Sequence, residues 1–250
     1  MLRVNGLTKV FKNRGSKGET AAVKNLSFQC VPGEIYGLLG PNGAGKTTTL
    51  RCLSTLIRPT SGNVWIDDLN VTEDEQAFRS RIGFLTSDMK LDGYFTPDYM
   101  LDWFGRLNKM DQKSIRRRKE KLFKDLQMED FVHRKIDMLS TGMKQKTAVA
   151  ISLVHDPEVI IFDEPTNGLD IVTSKAVTDF LSSCASQGKT VIISTHIMSI
   201  AEKLCDRFGI LVKGELKEEG TLAEILEGTG GMDLEEVFFR YIMPERKGGM

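Results

Sequence analysis

No apolar run in this 250-residue sequence approaches the ~18 to 20 consecutive residues that a bilayer-spanning helix needs. The chain is therefore not expected to cross a membrane by a helix of its own. The N-terminus, with Arg3 and Asn5 early, shows no apolar h-region, so no secretory signal is expected there. The four cysteines, Cys30, Cys52, Cys184 and Cys205, are widely spaced and form no C-x-x-C pair, and the few histidines form no cluster. That excludes a zinc framework and suggests small core residues in a reducing compartment, the cytosol. Net charge is lacking too: Lys plus Arg and Asp plus Glu number 34 each, so overall electrostatics make no case for nucleic-acid binding. No internal repeat or low-complexity tract is visible.

What is present is concentrated in Gly40-Pro41-Asn42-Gly43-Ala44-Gly45-Lys46-Thr47-Thr48. An apolar run, Ile35 to Leu39, precedes it as a buried strand, and Thr48 to Leu53 continues it as a helix. Glycines at this spacing let backbone N–H groups converge on phosphate oxygens, and the helix N-terminus adds positive potential. Lys46 can neutralise β- and γ-phosphate charge and the Thr47 hydroxyl can ligate magnesium, so the expected ligand is a nucleoside triphosphate with Mg2+.

Elsewhere, alternation in Leu2-Arg3-Val4 and in Ala22 to Phe28 predicts antiparallel strands, joined through a flexible polar loop, Asn13 to Thr20. Asn63 to Asp67 reads as another strand. Val159 to Phe162 and Thr190 to Ser194 are short apolar runs of the kind found in central parallel strands. Helices are expected over Tyr99 to Leu107, Ser114 to Leu126 and Glu129 to Arg134, forming an insertion, and over Thr147 to Val154. The basic cluster Arg116-Arg117-Arg118-Lys119 reads as a solvated helix face, with a face toward a membrane or partner the alternative. Near the C-terminus, Lys213-Gly214-Glu215 suggests a hairpin turn, two short amphipathic helices follow, and Pro244 to Met250 reads as a frayed tail.

Asp163 and Glu164 close the Val159–Phe162 strand, at the end where open parallel sheets present their ligand sites. Asp163 would act on the metal, and Glu164 could polarise a water for in-line attack on a γ-phosphate. Leu139-Ser140-Thr141-Gly142-Met143-Lys144-Gln145-Lys146 puts small residues before an apolar helix, where a helix N-terminus can bind an anion.

This ordered set resembles the nucleotide-binding subunits of ATP-binding cassette (ABC) transporters, whose signature usually reads Leu-Ser-Gly-Gly-Gln. The resemblance covers nearly the whole chain. It implies an α/β fold: a P-loop NTPase parallel-sheet core with an N-terminal antiparallel β subdomain and an inserted α-helical subdomain. Residues 1–250 then form one domain: 1–90 and 150–220 the nucleotide-binding core, about 91–149 the helical insertion carrying the signature, and 221–250 the C-terminal helices and tail. By the same resemblance Phe11 stacks on adenine beside Val23, Gly168-Leu169-Asp170 is the D-loop, and His196 is the switch histidine that reaches the γ-phosphate. Two copies, or one copy and a related ATPase, would stack head to tail with ATP between the phosphate loop of one and Ser140 to Gly142 of the other. A separately encoded transmembrane permease would then hold the protein on the inner face of the membrane, and export would be the output.

Thr141 and Met143 depart from the usual signature, and Ser87, after Ile82 to Thr86, stands where the family has a glutamine. These departures, with Phe95-Thr96-Pro97 and Trp103-Phe104-Gly105, resemble the sodium-extrusion and multidrug type of bacterial exporter ATPase. Phe84, Phe95, Tyr99, Trp103 and Phe104 would supply a groove for a coupling helix of the permease, with core packing the alternative for each. A soluble ABC ATPase acting on ribosomes or DNA is the alternative function, although such proteins usually carry tandem cassettes or long coiled-coil insertions. A P-loop phosphotransferase is disfavoured by the signature and His196. The cargo, whether sodium, a drug, a peptide or a lipid, is not encoded in this chain.

Overall fold

A computed structural model describes residues 1–12, 18–227, 230 and 232–243. The expected tail Pro244 to Met250 lies outside the described residues, as does the expected loop except at Gly18 to Thr20. The chain opens with a long antiparallel pair, β1 (Leu2–Lys12) and β2 (Glu19–Cys30). After β3 (Ile35–Leu39) come α1 (Lys46–Leu53), β4 (Ser61–Ile66), β5 (Leu69–Asn70), α2 (Glu75–Ser80) and β6 (Ile82–Leu85). Three helices follow, α3 (Pro97–Leu107), α4 (Gln112–Asp125) and α5 (Thr141–Ser152). The chain then alternates through β7 (Val159–Asp163), α6 (Ile171–Ser186), β8 (Thr190–Thr195) and α7 (Met198–Leu204). A hairpin, β9 (Arg207–Val212) and β10 (Glu215–Gly220), leads to α8 (Leu222–Glu227) and α9 (Leu234–Ile242).

Two sheets result. One is antiparallel, ordered β2-β1-β4-β5; the other is ordered β10-β9-β3-β8-β7-β6, parallel from β9 to β6 with β10 antiparallel at its edge. Strands β3, β7 and β8 are buried throughout because both faces of the parallel sheet are covered. Val159 and Ile161 point to the side shared with the antiparallel sheet and α1, and Ile160 and Phe162 to the side covered by α5 and α6. All four cysteines are buried and free, and burial pushes the Cys52 and Cys184 thiols up to about 11, so they pack as inert core groups.

Three local expectations need correction. Glu129 to Arg134 is a series of turns: Gln127 at φ +53° ends α4, and Phe131 N–H and Arg134 N–H bond the carbonyls three residues back. The anticipated helix at Thr147 begins six residues earlier, at Thr141, because Ser140 is the N-cap and accepts from Met143 N–H. The basic face of α4 is solvated only in part. Lys119 turns inward to Asp98 (2.6 Å) and Asp102 (2.9 Å), while Arg118 bonds the Leu153 carbonyl and pairs with Asp156. These ions tie α4 to α3 and to the core.

Candidate functional site

Sheet order decides which side chains meet. Because β3, β8, β7 and β6 are neighbours and parallel, the chain leaves all four at one edge. The glycine-rich loop follows β3, His196 follows β8, Glu164 follows β7, and Ser87 lies just beyond β6. They line a cleft of about 300 Å³ with Pro41 to Thr48, Ala22 and Asn167.

The loop's shape requires its glycines. Gly45 sits at φ +107°, and a Cβ there would lie 2.4 Å from the Ala22 carbonyl oxygen. A Cβ on Gly40 would approach the Leu211 carbonyl oxygen to 2.4 Å. Between them the loop presses on β2 and β9, and α1 starts at Lys46 with no side-chain cap, leaving its first N–H groups directed into the cleft. Lys46 is 6% exposed; its ammonium donates to the Gly40 carbonyl (2.7 Å) and lies 3.5 Å from Glu164 Oε1. That is a cation held at the mouth of an anion-binding loop.

Glu164 has a left-handed backbone, φ +51°, which costs of order 1–3 kcal/mol for a non-glycine residue and marks a conformation fixed by its surroundings. Ser194 does the fixing. Its carbonyl and its Oγ both accept from Glu164 N–H (3.2 and 3.0 Å), while the same hydroxyl donates to Asp163 Oδ1 at 2.5 Å. The β7–β8 register, with Asp163 opposite Ser194, puts the serine there. His196 Nδ1 lies 2.9 Å and 3.0 Å from the two Glu164 oxygens, so with Nδ1 protonated it donates to that carboxylate. A carboxylate so oriented can take a proton from a water in the cleft.

Asp163 is 1% exposed, and its Oδ2 is a buried oxygen with no protein donor. Such an orphaned anionic oxygen fits a hard divalent cation or its water shell, and Thr47, which carries a hydroxyl, lines the neighbouring cleft. The donor set therefore suits magnesium.

Other expected site residues lie outside the cleft. Phe11 is on the half-exposed end of β1 under Lys9, and Val23 is wholly buried between the sheets; Ala22, its neighbour, lines the cleft instead. Ser140 caps α5, and Gly142 abuts Thr173 of α6, where an added Cβ would fall 2.6 Å from Thr173 Oγ1. Asp170 caps α6 by accepting from Thr173 N–H (2.9 Å) and Oγ1 (2.7 Å), bonds that hold its carboxyl below the usual range. Sequence reasoning missed Ala22, Asn167 and Ser194; a hydroxyl inside the apolar run Thr190 to Thr195 was the available signal for the last.

The family model described as ABC transporter matches residues 23–167, more than half of the chain. The ABC transporter ATP-binding protein NatA of Bacillus subtilis (strain 168) is 35% identical over 239 residues, covering 95% of this chain and 96% of its own. The Nod factor export ATP-binding protein I of Paraburkholderia xenovorans (strain LB400) is 37% identical over 227 residues, 91% of this chain and 75% of the relative. Among solved structures, a dimeric post-hydrolysis state of the ATP-binding cassette MJ0796 bound to ADP and Pi superposes with a TM-score of 0.80 at 28% identity, covering 89% of this chain and 99% of that one.

Proposed function

Because this chain belongs to the ABC transporter family of ATP-binding subunits, which hydrolyse ATP, we propose that it does so in a head-to-tail dimer to drive export through a separate permease. The observation that carries the reading is the meeting of Lys46, Glu164 and His196 within 3.5 Å at one edge of the parallel sheet. Lys46 and the loop N–H groups bind the triphosphate. Glu164 is the general base toward the attacking water, and His196 orients its carboxylate and faces the γ-phosphate. Magnesium, held by Thr47 and Asp163, would neutralise charge on the transferring phosphoryl group.

Ser194 supports both carboxylates, so Ser194→Ala is expected to lower ATP turnover about tenfold, the cost of misplacing Asp163 and Glu164 by one lost hydrogen bond each. A steady-state ATPase assay checks this, and unchanged turnover would remove the serine from the site's support.

Phe11 is proposed for the adenine side, with Ala22 at the cleft in place of the wholly buried Val23; Ser140 and Gly142 are proposed for the γ-phosphate of the opposing protomer, and Asp170 for the contact between protomers. Membrane attachment goes through the permease, since no helix among the described residues is long and apolar enough to span a bilayer. An exposed aromatic surface supports that partner: Tyr94, Tyr99 and Trp103 are open to solvent, with Phe95 stacked on Tyr99 at 4.7 Å. Phe84 and Phe104 are only partly buried and pack against the core clusters. Sodium export is in line with the exporter-group resemblance and the similarity to NatA, and the choice of cargo belongs to the permease. The test is capture of tagged Glu164→Gln protein from gently solubilised native membranes with Mg-ATP. A stoichiometric multi-span membrane protein is expected; copurification with ribosomes or DNA instead would overturn the transport reading.

A further inference from the structure

The peptide that carries Glu164 is held from both sides. On its N-terminal side Ser194 takes Glu164 N–H, as described. On its C-terminal side Gln145 Nε2, from the second turn of α5, donates to the Pro165 carbonyl at 2.9 Å in a partly buried setting. Pro165 has no N–H to give, so that carbonyl is its one backbone hydrogen-bonding group, and Gln145 is the side chain that engages it. Five residues on, the same segment ends at Asp170, whose cap on α6 positions Thr173 against Gly142 in the first turn of α5. Helix α5 thus bonds the Glu164–Asp170 segment at Pro165 and abuts the first turn of α6, which Asp170 caps. A shift of the first turns of α5 must be passed to the segment, since the Gly142–Thr173 approach leaves no space for a methyl group and the Gln145 bond is at its normal length.

We propose that Gln145 is a positioning residue for Glu164 of its own protomer. It makes readiness for water attack at one nucleotide depend on where α5, which begins at Ser140, has been drawn by the nucleotide of the other. The proposal rests on the sandwich-dimer reading above. Gln145 makes no contact with the cleft and acts only through the Pro165 carbonyl, so its loss lowers turnover more than it changes nucleotide affinity.

Mixed dimers provide the test, because Glu164→Gln homodimers are expected to turn over on the order of 10² to 10⁴ times more slowly, so that with their measured background subtracted an excess of that variant confines turnover to mixed pairs. The reference is dilute wild-type protein with excess Glu164→Gln. Dilute Gln145→Met with excess Glu164→Gln leaves the working Glu164 on the chain that has lost the glutamine, and kcat is expected to fall about tenfold with KM for ATP within about twofold. Dilute wild-type protein with excess Gln145→Met/Glu164→Gln keeps the working Glu164 beside an intact Gln145, and kcat is expected to match the reference. A loss in the second pair but not the first, or in neither, overturns the proposal. Gln145→Glu, which sets an acceptor against the carbonyl, must reproduce the pattern, and both Gln145 variants must still dimerise with ATP in the Glu164→Gln background. Turnover in the reference that does not respond to added Glu164→Gln partner would instead overturn the dimer reading.

Discussion

Replacement of Glu164 by glutamine is expected to cut ATP turnover by a factor on the order of 10² to 10⁴ while leaving ATP binding intact. The amide occupies the same volume and can keep its place against His196, which lies 2.9 Å from the carboxylate, but it cannot accept a proton from water at neutral pH. Binding survives because the loop N–H groups and Lys46 are untouched. Removing the glutamate's charge also frees the Lys46 ammonium, 3.5 Å away, of its anionic neighbour, which favours a bound triphosphate. Single-turnover hydrolysis beside equilibrium binding of a fluorescent ATP analogue separates the two quantities. Near-wild-type turnover would show that another group activates the water.

Lys46→Ala is expected to weaken ATP binding by about 100-fold, since it removes charge-assisted hydrogen bonds worth about 1.5–3 kcal/mol from a nearly buried position. It also takes the ammonium off the Gly40 carbonyl, which the loop's own backbone does not replace, and leaves Glu164 facing the triphosphate without a cation between them. Titration with the same fluorescent analogue reads the change, and an unaltered dissociation constant would mean that the loop N–H groups alone suffice. The fold should persist, because the buried clusters on either side of the parallel sheet do not depend on this side chain.

The central strands were legible in the sequence because both faces of β3, β7 and β8 are buried, which leaves short, mostly apolar runs rich in Ile, Val and Leu. The loop from Gly40 to Thr48 and the pair Asp163–Glu164 were legible for the same reason: each stands at the exit of such a run. Ser194 was not, because its role comes from a register that sets it beside Asp163, 31 residues away in sequence. Gln145 is likewise meaningful only once α5 lies against Pro165.

Local energetics explains the helical errors. Composition permits a helix at Glu129 to Arg134, but the positive φ at Gln127 and the burial of Phe131 and Val132 fix a chain of turns that anchors the insertion. At α5 the apolar run drew the expected start too late, whereas the Ser140 cap sets it. Arg118 and Lys119 looked solvated because their acidic partners come from Asp156 on one side and from α3 on the other.

Sedimentation velocity of Glu164→Gln protein, with Mg-ATP and then with Mg-ADP, tests most directly whether ATP is held between two copies of this chain. A γ-phosphate bound by Lys46 of one protomer and by the α5 N-terminus of the other makes association depend on that phosphate. The expected result is a dimer with Mg-ATP and a monomer with Mg-ADP, and loss of the ATP-dependent dimer when Gly142→Ala is added to the same chain. A protein that stays monomeric at saturating Mg-ATP, or dimerises equally with ADP, would contradict the account.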